Sequence, residues 1–158
     1  MEFSKVISAR HSVRIFKDTP VDREVVDAIL DQTLTAPSSR NSRSSAFMVI
    51  DDKDTLAALS EMRTYGSGLL KGAVCAVVVL GDTSKSDLWI ENAAISATYI
   101  QLCATNLGLG SCWVHVNGRL RDHKDASKGW AEDYLRELLS LKEAFRPLCV
   151  IALGYEAD

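Results

Sequence analysis

The residues best equipped for chemistry fall in three short clusters. The first is Arg10-His11-Ser12-Val13-Arg14. Two guanidiniums, a hydroxyl and an imidazole can donate to an anion there, and the planar fork of Arg matches phosphate oxygens. If the segment is extended, side chains alternate and Arg10, Ser12 and Arg14 share one side. The same residues also read as a solvated basic turn, with Arg10 favouring the C-terminus of a preceding helix. The second cluster, Ala36-Pro37-Ser38-Ser39-Arg40-Asn41-Ser42-Arg43, is a polar loop pinned by one proline. It can present backbone and amide groups to a polar heterocycle, or simply connect a helix to a strand. The third is Gly108-Leu109-Gly110-Ser111-Cys112-Trp113. Its glycines allow close approach of backbone to a ligand, and equally allow a plain helix stop before a strand.

Other chemistries find little support. His11, His115 and His123 do not form a metal set with carboxylates at useful spacing. There is no phosphate loop, no dinucleotide fingerprint and no nucleophile elbow. Asp87 and Glu91 stand four apart on a helical stretch, a spacing that more often solvates a helix face than forms an acid–base pair. Cys75, Cys103 and Cys149 sit in apolar runs and behave as small hydrophobes; Cys112 has no metal-ligand neighbours. The net charge of −3 is too mild to direct the chain to nucleic acid or an anionic membrane, and basic residues do not interleave with aromatics. Neither an apolar leader nor a long apolar run is visible, so the expectation is a cytoplasmic protein.

These clusters need a scaffold, and 158 residues, 47% of them hydrophobic, suit one domain with a sizeable core. The patterns predict helices over 4–9, 22–34, 54–62, 87–107 and 130–141, with Asp22 as an N-cap. Strands are predicted over 46–50, 73–80, 111–116 and 147–153. The run AVCAVVVL is apolar throughout, as in a central strand covered on both faces. The helix over 87–107 is apolar around most of its circumference, so it is buried, and a second copy of the chain is expected to complete its cover. Strands separated by helices imply a sheet with helices on both faces.

Taken in order, the clusters resemble the nitroreductase family of FMN-dependent oxidoreductases. RHSVRIF is similar to the family's opening flavin-phosphate motif, APSSRNSRSSAF to its second motif, GLGSCWV to its third and ALGY to its closing strand. The resemblance spans Phe3 to Tyr155. It implies an α+β fold, with a mixed sheet of four to five strands, helices on both faces and a long buried central helix, all in one domain over 1–158. It also implies a homodimer with FMN at the interface. By this likeness Arg10, Ser12 and Arg14 hold the phosphate with His11 beside them. Pro37, Ser38, Ser39 and Asn41 reach the partner's flavin, with Arg43 at its edge. The backbone of Trp113, Val114, His115 and Val116 passes the flavin N5 and O4, and Tyr65 and Gly68 add contacts. The implied reaction is ping-pong hydride transfer from NADH or NADPH, through flavin N5, to a nitroaromatic, quinone or similar acceptor. A same-fold flavin enzyme with another reaction, or a flavin-binding dimer without turnover, are the alternatives. Two departures stand out. Arg43, Ser44 and Ser45 occupy the place where Gln-Pro-Trp commonly follows the Asn, and the sequence ends at Asp158, where family members usually continue into a tail.

Overall fold

A computed structural model describes residues 1–158. Five α-helices, α1 (Phe3–Ala9), α2 (Arg23–Thr33), α3 (Lys53–Ser60), α4 (Trp89–Asn106) and α5 (Ala131–Leu139), surround one sheet. Its strands are β1 (Ser45–Ile50), β2 (Cys75–Asp82), β3 (Gly110–His115) and β4 (Phe145–Gly154), in the order β1-β2-β4-β3. Every predicted helix and strand is present, with ends shifted by at most two residues. All three strand pairings are antiparallel. The parallel component is a single bridge, Ser12 to Ser111, that lays the first cluster against the start of β3.

The sheet divides the core in two, and this explains why its central strands are apolar at every position. Ala76, Val78 and Leu80 of β2, with Val150 and Ala152 of β4, pack towards α3 and α5. Cys75, Val77 and Val79, with Cys149, Ile151 and Leu153, pack towards α2 and α4. Alternating side chains of both strands thus meet apolar layers on either face. Between Val79 and Leu80 the register slips, leaving Leu148 of β4 as an extra residue beside Pro147. A bulge is where a sheet tolerates proline. The Leu148 carbonyl accepts from the N–H groups of Val116 and Asn117, each at 3.0 Å, and so closes the end of β3.

Local chemistry sets the helices. Asp52 accepts from the Thr55 N–H at 2.9 Å and caps α3. Asp22 occupies the N-cap of α2 as expected, but its side chain makes no capping bond; Arg23 and Asp27 pair at 3.0 Å along the first turn instead. In α4, Trp89, Asn92, Ala93, Ser96, Ala97, Ile100, Gln101 and Ala104 are buried. Its opposite side, including Ile95, Tyr99, Leu102 and Cys103, is half-covered. No helix is long and apolar enough to cross a membrane.

Candidate active site

The first cluster is fixed by two close backbone approaches. Val13 donates its N–H to the Ser111 carbonyl at 2.9 Å. Its side chain lies against Gly110, where an added Cβ would stand only 2.7 Å from Val13 Cγ2. Phe16 covers Gly154 in the same way, at 2.8 Å. With Val13 and Phe16 buried, alternation turns Ser12 and Arg14 outwards. Arg10 is half-buried at the end of α1. His11, expected beside the phosphate donors, is held by two contacts within the chain. Its Nδ1 meets the Ala9 carbonyl at 2.9 Å and its Nε2 meets the Glu156 carboxylate at 3.1 Å. The Ala9 carbonyl, then Glu156, raise its pKa, and an imidazolium satisfies both contacts by donating from both nitrogens. The anion donors left free are therefore Arg10, Ser12 and Arg14.

β3 is an edge strand, and its outward backbone groups are the second component. Ser111 gives its carbonyl to Val13, and Val116 donates inwards to β4. In an antiparallel ladder the pointing alternates, so Trp113 and His115 direct N–H and C=O away from the sheet while Val114 points into it. The His115 carbonyl accepts from Arg63 Nη1 at 3.4 Å. The Trp113 N–H faces an open cleft of about 520 Å³ lined by Arg14, Arg63, Gly66, Gly68, Leu69, Cys112, Trp113, His115 and Arg119. That volume falls in the range of small-molecule sites. Among the four predicted residues of this strand, Trp113 and His115 therefore reach the cleft. Val114 and Val116 are buried in the core and serve to hold the strand.

The indole Nε1–H of Trp113 donates to His115 Nδ1 at 3.1 Å, with the rings stacked 6.2 Å apart. Burial, Arg119 and Arg63 together push the His115 pKa down, so the ring is neutral near pH 7 with its proton on Nε2. Gly68 lines the cleft; Tyr65 lies outside its lining, is exposed and packs on His123 at 5.4 Å. Burial raises the Cys112 thiol pKa, which makes it a poor nucleophile. Sequence reasoning missed Arg63 and Arg119. Both are isolated arginines outside any motif, and only folding brings them beside β3.

The second cluster lies elsewhere in the chain. Pro37, Ser38 and Arg43 border a small hollow of about 60 Å³ with Thr33, Phe47 and Ser96. This hollow shares no lining residue with the β3 cleft. The loop is shaped by left-handed backbone at Arg40, Asn41 and Arg43 (φ 52°, 53° and 49°). Buried Asn92 of α4 holds it: Asn92 Oδ1 accepts from the Ser39 N–H at 2.9 Å, and Nδ2 donates to Ser44 Oγ at 2.9 Å. Ser38 Oγ accepts from the Arg43 N–H at 3.0 Å. Asn92 was a second omission from the sequence reading; a polar amide inside an otherwise apolar helix was the available signal.

Comparison with known proteins places these features in a family. The nitroreductase family model matches residues 7–64 and 61–155. The chain is similar to a solved FMN-dependent nitroreductase from Clostridium difficile R20291, with 42% identity and a TM-score of 0.91. That likeness covers 98% of this chain and 88% of the other. It is 33% identical to an Archaeoglobus fulgidus protein named, provisionally, as an NADH dehydrogenase/NAD(P)H nitroreductase, over 99% of this chain and 87% of that one. A Bacillus subtilis FMN reductase [NAD(P)H] is 24% identical over 99% of this chain and 67% of its own length. With the motif order, the sheet topology and these likenesses in agreement, the chain belongs to the nitroreductase family.

Proposed function

We propose that this protein is an FMN-dependent oxidoreductase that takes hydride from NADH or NADPH and delivers it to a nitroaromatic, quinone or similar electron-poor acceptor. One observation carries the reading: an edge strand turns the unpartnered Trp113 N–H into a cleft whose arginines make no ion pair with any carboxylate. Such a cleft suits a flat, polar-edged molecule with an anionic tail. FMN fits that description, and it supplies two-electron redox chemistry at N5 when bound.

The residues of the chain then bind and orient. Arg10, Ser12 and Arg14 receive the phosphate, each guanidinium offering a forked set of donors. The Trp113 N–H meets the polar edge of the ring system, where a fixed donor stabilises negative charge that grows on reduction. Neutral His115 offers an Nε2–H without adding a full charge. One open face of the cleft serves reductant and acceptor in turn, which gives ping-pong kinetics.

The reading requires two chains. Pro37, Ser38, Ser39, Asn41 and Arg43 form a separate surface from the β3 cleft, so a second copy is what brings them to a flavin. Exposed apolar residues support this pairing. Met1 and Phe3, 66% and 68% exposed, line a hollow of about 350 Å³ between α1 and α4, and Ile7 and Leu34 are 52% and 55% exposed. Burial of such surface stabilises a dimer by about 25 cal/mol per Å² before the costs of association.

The names of the relatives support a flavin and a reduced nicotinamide, since two carry FMN and two carry NAD(P)H in them. Purified protein with flavin absorbance, bleached by NADH or NADPH and restored by a quinone, is the expected result. Colourless protein that takes up no added FMN would contradict the reading. Yellow protein that reduced nicotinamides do not bleach would point to a flavin-binding dimer without turnover.

A further inference from the structure

Two arginines in the β3 cleft remain unused once FMN is placed. Arg14 lies at the Cys112 end of the strand, close enough to act on the charge of that thiol. Arg63 and Arg119 lie at the His115 end, where both act on the imidazole and on each other. Residues 112 and 115 are separated by about 10 Å along an extended strand, so the two groups of arginines are rooted at opposite ends of the cleft. The charge of one phosphate, about −2 at neutral pH, is matched by Arg10 and Arg14 alone.

Arg63 is held in place by its surroundings. Its backbone N–H donates to Ser67 Oγ at 3.1 Å, and its carbonyl accepts from the same hydroxyl at 2.9 Å. Nη1 reaches the His115 carbonyl, and Nε is buried without any hydrogen-bond partner. Gly66, at φ 97°, lies flat against the guanidinium; a Cβ there would come within 3.2 Å of Nη1. Arg119 is exposed, and no acidic residue lines the cleft. A buried cation edge with no counter-charge costs stability unless a ligand supplies one.

We infer that Arg63 and Arg119 form an anion-recognition pair for the small molecule that exchanges hydride with the flavin, binding its carboxylate or phosphate at the His115 end of the cleft. The inference rests on the FMN reading above. It adds a substrate class: aromatic or quinonoid acceptors bearing an acidic group, or the phosphates of the nicotinamide donor. Arg63, fixed by packing, orients the anion; Arg119, exposed at the same end of the cleft, adds a second set of donors.

The test uses FMN-loaded protein and variants Arg119→Gln, Arg63→Lys and Arg63→Gln. Binding of 4-nitrobenzoate and of its neutral methyl ester is followed by perturbation of the flavin spectrum. The nucleotide arm compares KM for NADPH, NADH and reduced nicotinamide riboside, which has no phosphate. In the wild type the acid binds more tightly than the ester. Arg119→Gln lowers that acid-over-ester preference about tenfold, the scale of one charge-assisted hydrogen bond. Arg63→Lys retains part of it, while Arg63→Gln loses it. A loss confined to the acid assigns the anion to the acceptor. A loss confined to NADPH and NADH assigns it to the donor's phosphates. Equal binding of acid and ester, with no preference among the three donors, overturns the inference. So does a fall in FMN affinity in Arg119→Gln that accounts for the whole effect. Failure of wild-type protein to bind FMN at all defeats the underlying reading instead.

Discussion

The β3 cleft and the 37–43 loop are both polar, yet they are built on opposite plans. The loop satisfies itself. Asn92 and Ser38 take up its backbone donors, and three left-handed residues fix its path. The cleft leaves groups open: arginines without carboxylates, an outward N–H at Trp113, a buried Arg63 Nε. A region with its polar groups paired keeps a shape, whereas one with charges unpaired awaits a ligand. The loop is thus preorganised surface and the cleft is binding potential.

That contrast can be broken residue by residue. Arg14→Ala has the largest expected effect on the ligand side. It should weaken FMN binding by about 1.5–3 kcal/mol while leaving the fold intact, because Arg14 is exposed and makes no internal bond. Titration of apoprotein with FMN, alongside thermal melts, checks both halves of the statement. Gly110→Ala comes next. The new methyl group would press on Val13, costing about 1–3 kcal/mol of stability and displacing the phosphate donors, so melting temperature and FMN affinity should fall together. A variant that loses stability but keeps full affinity would show that the first cluster does not depend on its seat against β3.

Asn92→Ala probes the preorganised side. It strands the Ser39 N–H and the Ser44 hydroxyl and should cost about 1–3 kcal/mol. Hydrogen exchange at residues 38–44 should accelerate, while exchange along β3 stays as in the wild type.

The smallest effect is one of pH. His11 has a raised pKa in the folded chain, so its contribution is present below 6.5 and is lost as pH rises through the folded value. For His115 the folded pKa is lowered; its contribution is present above 6.5 and is lost as pH falls through the folded value. An NMR titration should therefore show one of these imidazoles on each side of 6.5. His115→Gln should flatten the loss of stability on mild acidification, and His11→Gln should not.

How much of this could be read from residues alone follows the same divide. Strands covered on both faces announce themselves by uninterrupted apolar runs, and AVCAVVVL and PLCVIALG are such runs. The first cluster was legible because Arg, Ser and Arg alternate on a short segment. What was hidden depends on contacts distant in sequence. Glu156 meets His11 across 145 residues and takes that imidazole away from the anion donors. Arg63 and Arg119 converge only because the 61–72 segment and the loop after β3 fold to the same edge. The strand parity that selects Trp113 and His115 over Val114 and Val116 required the register with β4. Asn92 sat in view within an apolar helix, but its partners at Ser39 and Ser44 are about fifty residues away.

The central claim is that Arg10, Ser12 and Arg14 grip the phosphate of FMN beside the open edge of β3. Its most direct measurement is an FMN titration of flavin-free protein, wild type against the Arg10→Ala/Arg14→Ala double variant, read by quenching of flavin fluorescence. The account predicts saturable binding at one FMN per chain in the wild type and binding at least about tenfold weaker in the variant, with riboflavin, which lacks the phosphate, binding both proteins equally. Equal FMN affinity in the two proteins would contradict it.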